Sequence, residues 1–163
     1  MTATVHSLQV SNGGVPKLGV PRARVHSLGL EGDAQRQRKF HGGPDRAVCL
    51  WSLEVIETLA HEGHAATPGA AGENVTVRGI DWREVVPGVC LAVGEVLLEI
   101  TQYATPCKTI AHVFSDGDSK RISSKLHDGV SRVYARVLRD GVLNVGDAVR
   151  IVTAESLDAR SVE

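Results

Sequence analysis

Polar and apolar residues alternate over Val5-His6-Ser7-Leu8 and again over Ala23-Arg24-Val25-His26-Ser27-Leu28. A period of two predicts half-buried strands, and Asn12-Gly13-Gly14 between the two segments is a strong turn signal. Ala47-Val48-Cys49-Leu50-Trp51 is a continuous apolar run and predicts a buried strand. Leu53, Ile56, Leu59 and Ala60 then switch to helical spacing, so a helix is expected from the capping Ser52 to about Glu62, ended by Gly63. Further strands are predicted at 74–77, along the long run 89–103 folded into a hairpin at Gly94-Glu95, and at 134–138 and 147–152. The run from Cys107 to Val113 follows Pro106 and predicts a short helix beginning at the cysteine. Many short strands and few helices predict a mainly β chain closed into a barrel.

Length and composition narrow this picture without redirecting it. A chain of 163 residues suits one domain, expected over 1–153, with a loose polar tail over 154–163. The 18 basic and 19 acidic residues leave a formal charge of -1, so there is no cationic excess for a nucleic-acid backbone, although one or two cations with backbone amides suffice for a single phosphate. No signal peptide or membrane-spanning run stands in the sequence, which predicts a cytoplasmic protein with no membrane partner.

The three cysteines, Cys49, Cys90 and Cys107, are odd in number and far apart, which suits neither a disulfide framework nor a zinc ribbon. Cys49 and Cys90 sit inside apolar strands and are expected in the core. Cys107 stands in Thr105-Pro106-Cys107, where a helix start would lower the thiol pKa and expose its sulfur, although a lone cysteine is ordinarily an inert small core residue. His41-Gly42-Gly43-Pro44-Asp45-Arg46 could converge amides and a guanidinium on an anion, or be a tight turn with solvated charges. Gly13-Gly14-Val15-Pro16-Lys17 has the same two readings. Neither matches a nucleotide phosphate loop. Gly72-Glu73-Asn74 offers an amide to a heterocycle, or simply a turn. His61-Glu62-Gly63-His64 has the wrong spacing for a zinc protease, Asp116-Gly117-Asp118 lacks the later ligands of an EF-hand, and no Gly-x-Ser-x-Gly is present. Covalent chemistry, if any, falls to sulfur.

Taken in order, Gly13-Gly14-Val15-Pro16-Lys17, Gly29-Leu30-Glu31-Gly32-Asp33, His41 to Val48, Gly72-Glu73-Asn74 and Thr105-Pro106-Cys107, closed by Val145-Gly146-Asp147, resemble the short stand-alone bacterial MOSC domains, named for the C-terminal domain of molybdenum cofactor sulfurases. The resemblance implies a β-barrel similar to the small barrel of pyruvate kinase, with helices outside, and a pterin-based molybdenum cofactor. In that family the matched cysteine either ligates molybdenum or carries sulfur, and Cys107 takes that position. Similarity to the amidoxime-reducing members implies that Lys17 and Arg46 contact the cofactor phosphate and that Asn74 and the Thr105 region hold the pterin. His41, in its glycine-rich loop beside Arg46, is separately expected at the same pocket. A soft thiolate suits molybdenum.

The chain stops soon after the barrel, so no pyridoxal-phosphate, iron–sulfur or flavin domain is expected within it. Three functions follow as expectations. The first is reduction of N-hydroxylated or related N–O compounds, a small-molecule substrate, with an external electron-transfer protein. The second is a sulfurtransferase with a Cys107 persulfide and a separate sulfur donor, and the third is a non-enzymatic cofactor-binding module.

Overall fold

The computed structural model describes residues 2–34 and 43–153. His41 and the expected tail 154–163 lie outside the described residues. Within them, strands β1 (Ala3–Val10), β2 (Leu18–Val20), β3 (Arg22–His26), β4 (Gly29–Leu30), β5 (Val48–Ser52), β6 (Val75–Arg78), β7 (Cys90–Val93), β8 (Val96–Tyr103), β9 (Val133–Arg139), β10 (Gly141–Asn144) and β11 (Ala148–Val152) follow in order, with helix α1 (Leu53–His61) after β5.

Around the main sheet the order is β11-β7-β8-β9-β5-β6-β1, and β1 pairs back onto β11 through Ala3 and Thr4, so the seven strands close into a barrel. Closure removes the unpaired edges an open sheet would carry. Neighbours are antiparallel except β5 and β6, where Leu50 pairs with Val75 in a parallel register. A parallel pair needs a crossover connection, and α1 is part of it. Ser52 caps α1 as its Oγ accepts from the Val55 amide at 3.2 Å, and Ile56 and Leu59 form the buried face.

The barrel is filled by Leu8, Leu50, Leu91, Leu98, Ile100 and Val133, none more than 1% exposed. Gly94 takes a positive φ of 55° between β7 and β8, which turns the long apolar run into the expected hairpin. Both tryptophans are buried and each donates its ring N–H to the segment before β9: Trp51 to the Val130 carbonyl at 2.9 Å and Trp82 to the Ser131 carbonyl at 2.6 Å. The residue that follows, Arg132, is thereby fixed in place.

Three local expectations change. The Ala23–Leu28 segment does not join the barrel: β3 belongs to a second sheet, β10-β3-β4, while β1 makes its hairpin with β2. β10 was not expected because Gly-Val-Leu-Asn is too short to show alternation, and only Leu143 in it is fully buried. Residues Lys108–Val113 form a 3-10 helix rather than an α-helix, with Cys107 as the flanking residue before it. Its buried residues Ile110 and Val113 are three apart, the period of a 3-10 turn. No helix among the described residues is long and apolar enough to cross a membrane.

Candidate functional site

A cavity of about 280 Å³ opens at one end of the barrel, at the lower limit for small-molecule sites. Its wall is built from the β1–β2 loop (Gly14, Val15, Lys17), Ala34, Cys49 of β5, the loop before β6 (Ala71, Gly72, Asn74), the segment after β8 (Cys107, Thr109, Ile110), Arg132, and Tyr134 of β9. Four of the motifs singled out in the sequence therefore meet at this cavity or at its support: the first glycine loop, the Gly72-Glu73-Asn74 and Thr105-Pro106-Cys107 segments, and Asp33 of the second glycine motif.

Asp33 is the hub of one side. Its carboxylate accepts from the Ser11 amide at 3.0 Å, the Lys17 ammonium at 2.8 Å and the Asn74 amide nitrogen at 2.9 Å. Lys17 and Asp33 form a buried ion pair, with side chains 9% and 3% exposed. Asn74 is fully engaged: its Oδ1 accepts from the Cys49 amide at 3.0 Å, and its Nδ2 donates to the Gln9 carbonyl at 3.2 Å as well as to Asp33. The amide that sequence reasoning offered to a heterocycle thus ties three segments of the wall together. Gly69 supports the same corner. Its carbonyl receives the Lys17 amide at 2.9 Å, its φ is +87°, and a Cβ there would run into the Lys17 carbonyl oxygen.

Beneath the wall lies Glu73, completely buried. Burial pushes its carboxyl up to about 7, against backbone hydrogen bonds and the Arg132 charge, which favour ionisation. Thr76 Oγ1 donates to Glu73 Oε2 at 3.4 Å and receives Gln9 Nε2 at 3.1 Å, while Glu73 Oε1 and Gln9 Oε1 have no hydrogen-bond partner.

The opposite side carries Cys107, partly exposed, and Arg132, 6% exposed. Arg132 Nη1 donates to the Ala71 carbonyl at 2.9 Å and Nη2 to the Thr105 carbonyl at 3.4 Å, so the guanidinium braces the two motif-bearing loops against each other. Cys49 closes the floor. Desolvation pushes its thiol up to about 11, so it stays protonated near neutral pH and is a poor nucleophile. Tyr134 is likewise pushed up to about 12 by burial, which keeps its phenol a hydrogen-bond donor.

Of the residues proposed from sequence, Lys17, Asn74 and Cys107 line the cavity. Arg46 and Thr105 are not among the lining residues. Arg46 lies over the Tyr134 ring at 5.7 Å and reaches Gln102 Oε1 at 3.5 Å, so it stands behind a cavity residue. Thr105 is exposed, and its backbone carbonyl serves Arg132. Cys90 is buried in a small cluster with Ala92, Leu97 and Val152, as a core residue. Cys49 is as buried as expected for a core strand, yet it also forms cavity wall. Sequence reasoning missed Arg132 and Tyr134. The one available signal was a cation placed directly before an apolar strand, and Arg132 belongs to no motif.

Comparison with known proteins places these residues in a family context. The model of the MOSC domain matches residues 37–150, a span holding Cys49, Asn74, Cys107 and Arg132 but not Lys17 or Asp33. Protein YiiM of Escherichia coli strain K12 is 36% identical over 95 residues, 56% of this chain and 42% of YiiM. The protein YflK of Bacillus subtilis strain 168 is 30% identical over 125 residues, 76% of this chain and 56% of YflK. The chain spans about half the length of these curated relatives. The crystal structure of YiiM from Geobacillus stearothermophilus superposes with a TM-score of 0.72 at 26% identity, over 93% of this chain and 75% of that one.

Proposed function

This chain belongs to the MOSC domain family, and from that premise we propose that its cavity holds a pterin-based molybdenum cofactor at Cys107 and that the protein reduces N-hydroxylated or related N–O compounds with electrons from a separate donor. The observation that carries the reading is the convergence of one partly exposed thiol with two buried cations, Lys17 and Arg132, on a single cavity.

The donor set fits such a group. A thiolate is a soft ligand suited to molybdenum, and a phosphorylated pterin is an anion that a cationic wall favours. Arg132 is in no ion pair among the described residues, so the wall keeps a positive charge there. Cys107 would supply the protein ligand. Lys17, oriented by Asp33, would face the anionic end, while Asn74 fixes the wall's shape through Cys49 and Gln9. Arg46 would act through Tyr134, Thr105 through the carbonyl that holds Arg132, and His41 is proposed to stand at the same pocket. Molybdenum supplies two-electron oxygen-atom chemistry when bound. For an N-hydroxy substrate the balance is two electrons and two protons consumed, with an amine-type product and water released. The Tyr134 phenol, kept protonated near neutral pH by burial, and the Thr109 hydroxyl are the O–H groups among the lining residues that would meet the substrate's polar end.

The test is protein purified from a host competent in cofactor synthesis. About one molybdenum per chain is expected, together with pterin and turnover of benzamidoxime when reduced methyl viologen supplies electrons. Sulfane sulfur on Cys107 without metal would instead establish the sulfurtransferase, and bound pterin without turnover the binding module.

A further inference from the structure

We propose that Arg132 anchors an anion subsite in this cavity, one that seats a carboxylate, phosphate or other oxyanionic group beside Cys107. The inference rests on reading this cavity as the working site, but it does not depend on molybdenum. Arg132 lines the cavity at 6% exposure, directly before β9, where the two tryptophan hydrogen bonds to Val130 and Ser131 fix the chain. Two backbone carbonyls orient its guanidinium through Nη1 and Nη2 without neutralising its charge, while Nε is sealed from solvent and unpaired, so an anion would be met through the cavity-facing Nη groups. No ion pair among the described residues includes Arg132.

Lys17 is the cation that a glycine-loop motif nominates for a phosphate, yet its ammonium is already paired with Asp33 at 2.8 Å. The carboxyl whose ionisation Arg132 favours is Glu73. Glu73 is not within ion-pair distance of the guanidinium, and burial pushes it up to about 7, so it is a full counter-charge only above neutral pH. A desolvated guanidinium with no fixed counter-ion is costly, and an anion entering the cavity relieves that cost. Its charge is felt across the site: it also lowers the thiol of Cys49 and the phenol of Tyr134 against the dominant effect of burial. A guanidinium held in advance by carbonyls loses little freedom on binding an oxyanion. Arg132 and Cys107 line the same cavity, and the carbonyl that Arg132 holds belongs to Thr105 of the Thr105-Pro106-Cys107 segment, so an anion seated at the guanidinium shares the cavity with the thiol.

The thiol itself reports the subsite. Metal-free full-length protein is alkylated with iodoacetate or with neutral iodoacetamide, the thiolate displacing iodide in each case, and labelling at Cys107 is quantified by peptide mass analysis. The iodoacetate-to-iodoacetamide rate ratio is expected to exceed that of free cysteine by about tenfold, as one partly desolvated charge would give. It should saturate with iodoacetate and fall with added inorganic phosphate. Arg132→Gln returns the ratio to that of free cysteine, whereas the double variant Lys17→Gln/Asp33→Asn, which removes the ion pair without stranding either charge, leaves most of the effect, and the latter comparison stands if the buried Arg132 variant does not fold. A wild-type ratio equal to that of free cysteine and insensitive to phosphate overturns the proposal, as does an effect lost only in the double variant. Phosphate titration of cofactor-bearing protein then separates the two sources: persisting binding assigns the oxyanion to the substrate, and blocked binding assigns it to the cofactor. Failure of the subsite leaves the metal content of the protein untouched, so the two readings fail separately.

Discussion

Leu8 and Gln9 are neighbours in β1 and both are almost completely buried, yet they serve two different interiors. Leu8 joins Leu50, Leu91, Leu98 and Ile100 inside the closed barrel, where apolar contact alone is needed. Gln9 joins Glu73, Asn74 and Thr76 behind the cavity, where each buried polar group needs a partner and several atoms lack one. The same contrast runs along β5, between Leu50 and Cys49, and across the start of β6, between Val75 and Asn74. Barrel strands alternate inward and outward, but at the cavity end the outward residues are covered by loops instead of water, and a polar layer is trapped there. That layer fixes the loops carrying the motifs. It also leaves Arg132 and Glu73 as charges whose balance depends on what enters the cavity and on pH.

Substitutions in the two interiors should separate them. Leu98→Ala in the barrel is expected to lose about 2–5 kcal/mol in chemical denaturation, with alkylation at Cys107 in the folded protein unchanged. Equal disturbance of the thiol would mean that barrel and cavity are one unit. In the polar layer, Asn74→Ala strands the Cys49 amide, the Gln9 carbonyl and part of Asp33, and is expected to cost about 1–3 kcal/mol, with faster hydrogen exchange at the Cys49 amide. Unchanged exchange there would contradict Asn74's role as a tie.

Glu73 gives a pH signature that the barrel cannot. Its carboxyl is raised from an ordinary 4.5 to about 7 in the folded chain, chiefly by burial. Between those values the folded state holds a proton that the unfolded chain has released, so this contribution is full below the mid-4s and is lost as pH rises through 7. Glu73→Gln keeps the shape of the protonated acid. Its melting temperature should vary less than that of the wild type over pH 5–8, with the variant gaining on the wild type as pH rises, and parallel profiles would contradict the assignment. The smallest effect is expected outside both interiors. Arg136 bridges Asp45 and Glu99 with a side chain 45% exposed, and Arg136→Ala should change stability by at most about 1 kcal/mol, less at high salt.

The barrel was legible in the sequence because its signals are local. Alternation marked β1, the apolar run marked β5, Ser52 marked the start of α1, and Gly94 marked the β7–β8 hairpin. The second sheet was not legible, since β4 and β10 are too short to carry a period. Of the site, the segments that turn sharply at glycines were visible, and with them Lys17 and Asn74, while Cys107 stood out after Pro106. What those side chains do was not visible: Lys17 is paired and Asn74 is engaged with backbone, both through contacts more than twelve residues away in sequence. Arg132 was hidden for the same reason. Its environment is made by the carbonyls of Ala71 and Thr105, and a carbonyl leaves no mark in a sequence.

Two thiols share the cavity, one sealed in its floor and pushed up to about 11, the other partly exposed in the same wall as Arg132. Under the proposed function the second alone would hold the metal. Molybdenum and pterin content should therefore be measured side by side in wild type, Cys49→Ser and Cys107→Ser purified from the same cofactor-competent host. Wild-type molybdenum in Cys49→Ser and none in Cys107→Ser is the predicted result, whereas molybdenum retained in Cys107→Ser would contradict the claim that Cys107 is the ligand.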